Sequence, residues 1–141
     1  MPRMVYYLGR WIKHGDWYPD RKLRLYRKEA GEIVGIDPHD YVEVRGTVKR
    51  LLQPIYHYTY DDLAHHVNTI NRFSTISAEE KFKMGKRAHL SDLLFRPVWK
   101  FMRGYFFKRG ILDGWQGLVV AYLTSFEVWL KYMKLRVLSC K

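Results

Sequence analysis

The feature that most constrains this chain is a change of pattern near residue 60. Before it, glycine, proline and aspartate interrupt the sequence repeatedly, as at 15–16, 19–20, 31 and 37–38. Such interruptions leave room only for short strands joined by loops. After it, apolar residues recur three or four positions apart, which is the spacing of helices. We therefore expect a strand-rich first part and a helical second part.

The first part contains four predicted strands. They are residues 4–8, 22–28, 41–46 and 48–52. Two or three short strands alone would be marginally stable in water, so we interpret them as the edge of a larger sheet. The predicted fold class is α+β, in which short strands from the edge of an α/β sheet precede three C-terminal helices that are partly amphipathic.

The three helices are predicted from their caps and their apolar spacing. Their expected ranges are 61–84, 91–107 and 113–138. Asp61 or Asp62 can cap the first helix, and Asp113 can cap the third. The predicted buried face of the first helix consists of Leu63, Val67, Ile70 and Phe73. Its two histidines, His65 and His66, have no third ligand at a metal-site spacing and are expected to be solvated.

The charge of the chain is concentrated at one end. The sequence holds 25 Lys and Arg against 14 Asp and Glu, a net charge of +11. Residues 1–80 contribute 12 basic and 11 acidic side chains, whereas residues 81–141 contribute 13 and 3. A partner that carries negative charge is indicated: nucleic acid, anionic lipid or a phosphorylated substrate. The single cysteine, Cys140, excludes an internal disulfide.

The second helix has the pattern of a helix that lies in a lipid interface. Its apolar residues Phe95, Trp99, Met102 and Phe106 recur beside the basic residues Arg96, Lys100 and Arg103. Apolar side chains would enter the acyl boundary, and cations would meet anionic headgroups. The predicted membrane-interface residues are Arg96, Trp99, Lys100, Arg103 and Phe106. An ordinary core helix with a solvated charged face is the alternative interpretation.

The third helix is too short in its uncharged part to cross a bilayer. The uncharged run 114–126 has 13 residues, and a span needs roughly 20. We therefore expect it to be interfacial, or buried against its neighbour. Lys131, Lys134 and Arg136 near its end suit the helix dipole and lipid headgroups.

Six segments of the sequence follow one another in an order that is informative. They are LGRWIKHGDWYPDRKLRLYRK at 8–28, DPHD at 37–40, IYHYTY at 55–60, NRFST at 71–75, GILDGWQGL at 110–118 and KYMKL at 131–135. Together, these segments resemble bacterial family 2 glycosyltransferases of the type that builds the lipopolysaccharide core. The resemblance covers nearly the whole chain and matches the C-terminal part of such enzymes. It implies that the strands belong to the edge of a GT-A-like sheet. The donor-binding half would precede these residues, and Met1 would mark a truncated, split or mis-started reading frame.

The resemblance also implies an activity and a place in the cell. The expected reaction is inverting transfer of a sugar from a nucleotide-sugar to a core-like glycolipid, at the cytoplasmic face of the inner membrane. A divalent metal, Mg or Mn, is the expected cofactor, with its main ligands outside this chain. Residues 1–60 would form the acceptor-side remnant of the catalytic domain, and residues 61–141 a basic helical region at the membrane interface.

Two residues of the DPHD segment are the candidates for chemistry. The family usually has a His followed by a Glu at this point, so Asp40 is the candidate catalytic base and His39 the candidate metal ligand. A carboxylate can take the proton of an acceptor hydroxyl, and a neutral imidazole can bind a divalent ion. Asp40 could instead cap a turn, and His39 could be a hydrogen-bonded loop residue.

The resemblance carries the acceptor site to residues 17–24. The candidate acceptor-binding residues are Trp17, Tyr18, Asp20, Arg21 and Arg24. Aromatic rings can stack on sugar faces, and Arg binds phosphate or carboxylate in a fork. Trp17 could equally be a core residue, and Arg24 could pair with an acid of the fold.

Three functions remain open from the sequence. The first is the glycosyltransferase part just described, whose partners would be a nucleotide-sugar, a glycolipid and an anionic membrane rather than nucleic acid. The second is a catalytically inactive scaffold at the membrane. The third is a basic module that binds nucleic acid, for which the sequence offers interleaved aromatic and basic residues but no recognised motif.

Overall fold

The computed structural model describes residues 1–21, 23–35, 41–60 and 62–140. Its strands are β1 Pro2–Tyr7, β2 Arg10–Ile12, β3 Asp20–Arg21, β4 Gly31–Val34, β5 Tyr41–Val44 and β6 Ile55–Tyr58. Its helices are α1 Leu63–Lys83, α2 Leu90–Met102 and α3 Gly114–Ser139. Shorter 3₁₀ turns lie at Gly15–Trp17, Lys28–Ala30 and Gly110–Asp113, and a π-helical turn lies at Arg103–Phe107. The predicted α+β class with three C-terminal helices is confirmed.

Strand β1 is the centre of the main sheet. It pairs antiparallel with β2 and β3, and parallel with β6. Strands β4 and β5 form a separate antiparallel hairpin. Because side chains alternate along β1, Val5 and Tyr7 point to the buried face of the sheet and Tyr6 points to the other.

Two of the predicted strands are wrong. Residues 4–8 and 41–46 correspond to β1 and β5, but the described residues of 22–28 and all of 48–52 form no strand. Leu25 and Leu52 in these segments are 75% and 90% exposed. A strand needs a neighbouring backbone with which to pair, and an apolar sequence does not supply one.

The core consists of two clusters that meet on α3. Val5, Tyr7 and Ile12 of the sheet pack against Val120 of α3. Leu93 of α2 and Leu135 of α3 form the second cluster with Ala78 and Ala88. Helix α3 therefore joins the sheet to the other two helices.

The buried face of α1 differs from the predicted one. Its buried residues are His66, Ile70, Ser74 and Ala78, whereas Leu63 and Val67 are partly exposed. The prediction that His66 is solvated is also wrong. The Tyr7 hydroxyl and Nδ1 of His66 lie 2.6 Å apart and share a hydrogen bond. Polar partners inside the fold make a partly polar face the favourable one to bury.

Lys134 of α3 supplies the second polar partner for α1. Its Nζ donates to four oxygens of α1, namely the carbonyl and Oδ1 of Asn71, Ser74 Oγ and Thr75 Oγ1, at 2.7–2.9 Å. Burial lowers the pKa of Lys134. Arg136 donates to the Ala88 carbonyl. Lys134 thus joins α3 to α1, and Arg136 joins α3 to the connection between α1 and α2.

Asp113 does not cap α3 with its side chain as the sequence predicted. It stands at the position before the helix, but its carboxylate is directed to the loop that follows β2. Oδ2 accepts hydrogen bonds from the backbone N–H groups of Lys13 and His14 at 3.0 and 2.7 Å, and Oδ1 lies 3.0 Å from Nδ1 of His14. The carboxylate is almost fully buried. It therefore fixes the start of α3 against the strands.

The glycines of the same motif are required by close packing. A Cβ on Gly117 would lie 1.9 Å from the Gly110 carbonyl oxygen, and one on Gly110 would lie 2.7 Å from the Gly104 oxygen. The motif GILDGWQG is thus explained by contacts within the fold.

All three predicted helices are present. Helix α2 begins at Leu90, and it continues as a π-helical turn beyond Met102.

The stability of the chain should depend on the ionisation of His66. Burial, aided by His65, lowers the pKa of His66 to about 4. The unfolded chain binds a proton near pH 6.5 and the folded chain does not, so stability falls as the pH drops from about 6.5 toward 4. We expect the free energy of unfolding to fall by about 2 kcal/mol between pH 7 and pH 5, measured by urea denaturation. His66→Gln should remove this part of the slope. His65→Gln is the matched control and should retain it; equal slopes in both variants would refute the assignment.

Replacing the buried carboxylate should destabilise the fold. In Asp113→Asn a neutral amide oxygen replaces the carboxylate oxygen that accepts from the backbone N–H groups of Lys13 and His14, so these buried hydrogen bonds lose their charged acceptor. A hydrogen bond to a charged group contributes about 1.5–3 kcal/mol and a neutral one about 1 kcal/mol, so we expect a loss of about 1–2 kcal/mol. The change in unfolding free energy can be measured by denaturation at neutral pH. Glu79→Gln, an exposed acid on α1, should leave stability unchanged, and a similarly stable Asp113→Asn would show that the carboxylate is dispensable.

Candidate functional site

Four parts of the fold converge beside the buried face of the sheet. They are the 3₁₀ turn Gly15–Trp17, the residue Tyr60 after β6, the end of α2 with its π-helical turn, and the middle of α3. We call this region the Asp16 site; it consists of Asp16, Trp17, Tyr60, Lys100, Arg103, Lys108, Glu127 and Lys131. Gly15 has a φ of +77° and donates its N–H to the Lys108 carbonyl at 2.9 Å. This contact holds the turn against the end of α2.

Asp16 binds three cations at once. Its carboxylate oxygens lie 2.9 Å from Lys100 Nζ, 3.1 Å from Arg103 Nη2 and 2.8 Å from Lys108 Nζ. Burial alone would raise the pKa of Asp16, but the hydrogen bonds from Lys108, Lys100 and Arg103 outweigh burial and lower the pKa to about 2. Three cations against one carboxylate leave a local charge of +2, which favours an anionic ligand.

The π-helical turn makes this arrangement possible. In a π-helical turn the hydrogen bond joins residues that are five positions apart. Here Lys108 donates its N–H to the Arg103 carbonyl at 2.8 Å. The side chains of Arg103 and Lys108 therefore leave the helix on the same side. Gly104 lies between them, and a Cβ there would be 3.3 Å from Oδ2 of Asp16. The close approach of the carboxylate thus depends on a glycine at this position.

Aromatic rings form the floor of the site. Trp17 lies 5.1 Å from Tyr7, 6.0 Å from Tyr60 and 5.4 Å from His66, measured between ring centroids. Tyr60 stacks on His66 at 4.2 Å. Burial and the neighbouring Tyr60 raise the pKa of Tyr7 to about 12. These groups are neutral near pH 7 and offer ring faces and hydroxyl groups rather than charge.

Glu127 and Lys131 of α3 close the site. Burial, and then the charge of Glu127, raise the pKa of Tyr60. Burial is the main cause that lowers the pKa of Lys131, and the positive charges of Lys81, Lys100 and Arg96 lower it further. The negative charge of Glu127 acts in the opposite direction. A half-buried lysine near other cations raises the positive potential of the site. The arrangement can bind phosphate or carboxylate groups beside an aromatic surface.

The predicted acceptor-binding residues fall into separate places. Trp17 belongs to the Asp16 site. Asp20 forms an ion pair with Arg3 at 2.6 Å, near His57. The pKa of His57 is lowered, first by burial and then by the charges of Arg3 and Arg24, while the charge of Asp20 acts in the opposite direction. Tyr18 and Arg21 line an open cavity with Pro2 and Leu52. Their roles stay predictions, and the structure gathers Asp20 and Arg24, but not Tyr18 or Arg21, around His57.

The two candidate residues for chemistry, Asp40 and His39, lie outside the described residues. The carboxylates of Asp16, Asp20 and Asp113 are held by cations or backbone N–H groups. Within residues 1–21, 23–35, 41–60 and 62–140, no group of three His, Cys, Asp or Glu side chains could hold a metal ion. The expectation of a divalent metal whose main ligands lie outside this chain stays a prediction.

The predicted membrane-interface residues of α2 differ in their surroundings. Trp99 and Phe106 are exposed. Arg96 is exposed, forms an ion pair with Asp92 and lies 5.1 Å from the Tyr132 ring centroid. Lys100 and Arg103 are directed to Asp16. No helix in the described part of the chain is both long and apolar enough to cross a membrane.

The sequence did not reveal Asp16 or Glu127 as site residues. Asp16 is separated from its three cations by more than eighty positions, and nothing in its own segment predicts that they meet. A usable signal was present in Glu127, the only acid in residues 114–141, where a lone carboxylate ends a long uncharged run. Lys131 was expected to meet lipid headgroups, whereas it is a half-buried residue influenced by the charges of Glu127 and Lys100.

Comparison with known proteins gives similarity to glycosyltransferases in general. An uncharacterized glycosyltransferase of Rickettsia typhi is 28% identical over 128 residues, which are 84% of this chain and 44% of that protein. The corresponding protein of Rickettsia prowazekii is 28% identical over 127 residues, with the same shares. The one from Rickettsia bellii is 26% identical over 125 residues, or 82% and 42%.

The chain thus spans less than half the length of these curated relatives. No protein-family model matches the chain, and no solved structure matches it. The similarity to glycosyltransferases extends over most of the chain.

Proposed function

We propose that this chain is the acceptor-facing part of an inverting, family 2 glycosyltransferase. The reaction would transfer a sugar from a nucleotide-sugar to a glycolipid acceptor of the lipopolysaccharide-core type, at the cytoplasmic face of the inner membrane. Donor binding and the main divalent-metal ligands would be contributed by residues outside these 141, which agrees with relatives more than twice as long.

One observation carries the proposal. Trp17, within the segment that resembles the acceptor region, lies beside a carboxylate that holds three cations, in a chain similar to glycosyltransferases over 84% of its length. A phosphorylated or acidic oligosaccharide needs both features, because its sugar rings favour aromatic surfaces and its anionic groups favour Lys and Arg.

The chemistry that these residues can supply is positioning. The +2 charge around Asp16 attracts an anionic acceptor, and Lys131 adds to it. Ring faces exclude water from one side of a bound sugar. Proton removal from the acceptor hydroxyl would fall to Asp40, as the resemblance implies, and it requires a carboxylate within hydrogen-bond reach of that hydroxyl.

The two other functions have less support. A nucleic-acid module has no recognised motif in the sequence, and the similarity found is to glycosyltransferases. An inactive membrane scaffold is favoured by one observation, namely that the carboxylates of Asp16, Asp20 and Asp113 are all held by cations or backbone N–H groups. Asp40 decides between the scaffold and the enzyme.

Binding of a soluble acceptor tests the acceptor role. We expect the chain to bind a deacylated lipopolysaccharide-core oligosaccharide in isothermal titration calorimetry. Arg24→Ala should weaken the affinity about tenfold, since one charge-assisted contact contributes at least 1.4 kcal/mol. Arg72→Ala, which removes an exposed arginine from α1, is the matched control. No binding, or equal weakening by both substitutions, would count against the proposal.

Sugar transfer tests the chemistry of Asp40. The assay uses the chain joined to its donor-binding half. Transfer from a UDP-sugar to the core glycolipid should fall by a factor of about 10²–10⁴ in Asp40→Ala, because a general base contributes that much. The incorporated label is measured in the lipid fraction. Measurable transfer that is equal in the variant and the unmodified protein would remove Asp40 from the mechanism.

A further inference from the structure

The largest unexplained feature of the molecule is an apolar surface on the helical hairpin formed by α2 and α3. We call it the hairpin face; its residues are Leu94, Val98, Met102, Trp115, Leu118 and Tyr122, all exposed. The α2 residues are one turn apart, and those of α3 recur at i, i+3 and i+7, so each set forms a continuous stripe. Leu94 and Val98 are 64% and 62% exposed. Monomeric proteins in water rarely leave so many large apolar side chains together in solvent.

The hairpin face is directed away from the sheet. On α2, Lys100 and Arg103 are bound to Asp16 of the first 3₁₀ turn. On α3, Val120 packs against the sheet. The strands and the Asp16 site therefore occupy one side of the hairpin, and the apolar stripes are on the side that remains.

The hairpin face continues into the connection between the helices. Phe107 lies 5.7 Å from Trp99 between ring centroids, and both rings are exposed, as is Ile111. Arg96 pairs with Asp92, and Lys100, Arg103 and Lys108 are turned to Asp16. Residues 81–141 nevertheless hold 13 basic and 3 acidic side chains, so the helical region that carries the apolar surface has a net positive charge.

A lipid surface fits these properties. Anionic headgroups match the net positive charge, and the acyl boundary accepts apolar side chains. Trp and Tyr, here Trp99, Trp115 and Tyr122, are the residues that membrane interfaces favour. Because no helix in the described residues can cross a membrane, the hairpin would lie in the plane of the interface.

We propose that the hairpin face inserts into the interface of an anionic membrane, with the Asp16 site on the opposite side of the hairpin. This inference deepens the membrane part of the proposed function and rests on it. The proposed surface differs from the one expected from the sequence. Lys100 and Arg103 bind Asp16 instead of lipid headgroups. The lipid-facing surface contains, besides Trp99, the exposed residues Leu94, Val98, Trp115, Leu118 and Tyr122.

Vesicle flotation tests the proposal without donor or glycolipid, so it can fail while acceptor binding holds. The full chain is mixed with vesicles of phosphatidylglycerol and phosphatidylcholine in equal amounts, or of phosphatidylcholine alone. We expect binding to the anionic vesicles and at least about tenfold weaker binding to the neutral ones. The double variant Leu94→Glu with Val98→Glu should lose at least about tenfold in partitioning, because two apolar anchors become charged.

The matched control is Leu25→Glu with Leu52→Glu, which alters two equally exposed leucines in loops remote from the helices. It should bind anionic vesicles like the unmodified chain, and circular dichroism should give both double variants the unmodified melting temperature, since all four positions are exposed. Failure of the chain to bind anionic vesicles, or equal losses in both double variants, would overturn the proposal. A second copy of the chain could instead cover the hairpin face. Light scattering would then show a dimer that dissociates only in the Leu94→Glu, Val98→Glu variant, while this variant still bound vesicles, and that result would also overturn the proposal.

Discussion

The fold depends on buried carboxylates that join segments remote in the sequence. Asp16 holds Lys100, Arg103 and Lys108, and Asp113 holds the backbone of Lys13 and His14. Both acids connect the loop after β2 to the helical hairpin. A charge removed from water must be paired and hydrogen-bonded, or it destabilises the protein. Each pairing therefore favours one arrangement of strands and helices, and in this arrangement Trp17 lies beside Tyr60 and His66.

The same contacts divide the helical hairpin into two sides with different chemistry. One side carries cations turned inward to Asp16 and lies beside aromatic rings, and this side suits an anionic sugar. The other carries exposed aliphatic and aromatic residues, and this side suits a lipid boundary. An acceptor that is both a glycan and a lipid would need both sides of one element, since its sugar must reach the site while its acyl chains stay in the membrane.

The sequence predicted what is local and failed on what is remote. Helices α1 and α3 follow from caps and periodicity, which depend on neighbours three or four positions away. Residues 48–52 have the composition of a strand, but pairing depends on a partner that the local sequence does not show. His66 and Lys134 were expected at the surface because polar residues usually lie there; Tyr7 and the oxygens of Asn71, Ser74 and Thr75 reverse that preference. The acceptor segment was found by resemblance, whereas Asp16 became visible only through its cations.

The five tryptophans offer the most direct test of the two-sided hairpin. Trp17 lies in the Asp16 site, and Trp99 and Trp115 lie on the lipid-facing side, so their indole N–H signals report the two surfaces separately in NMR spectra of one labelled sample. Deacylated core oligosaccharide should shift the Trp17 signal and leave Trp99 and Trp115 in place, whereas anionic bicelles should do the reverse. Signals that respond together to both ligands, or a Trp17 signal that ignores the oligosaccharide, would contradict the account.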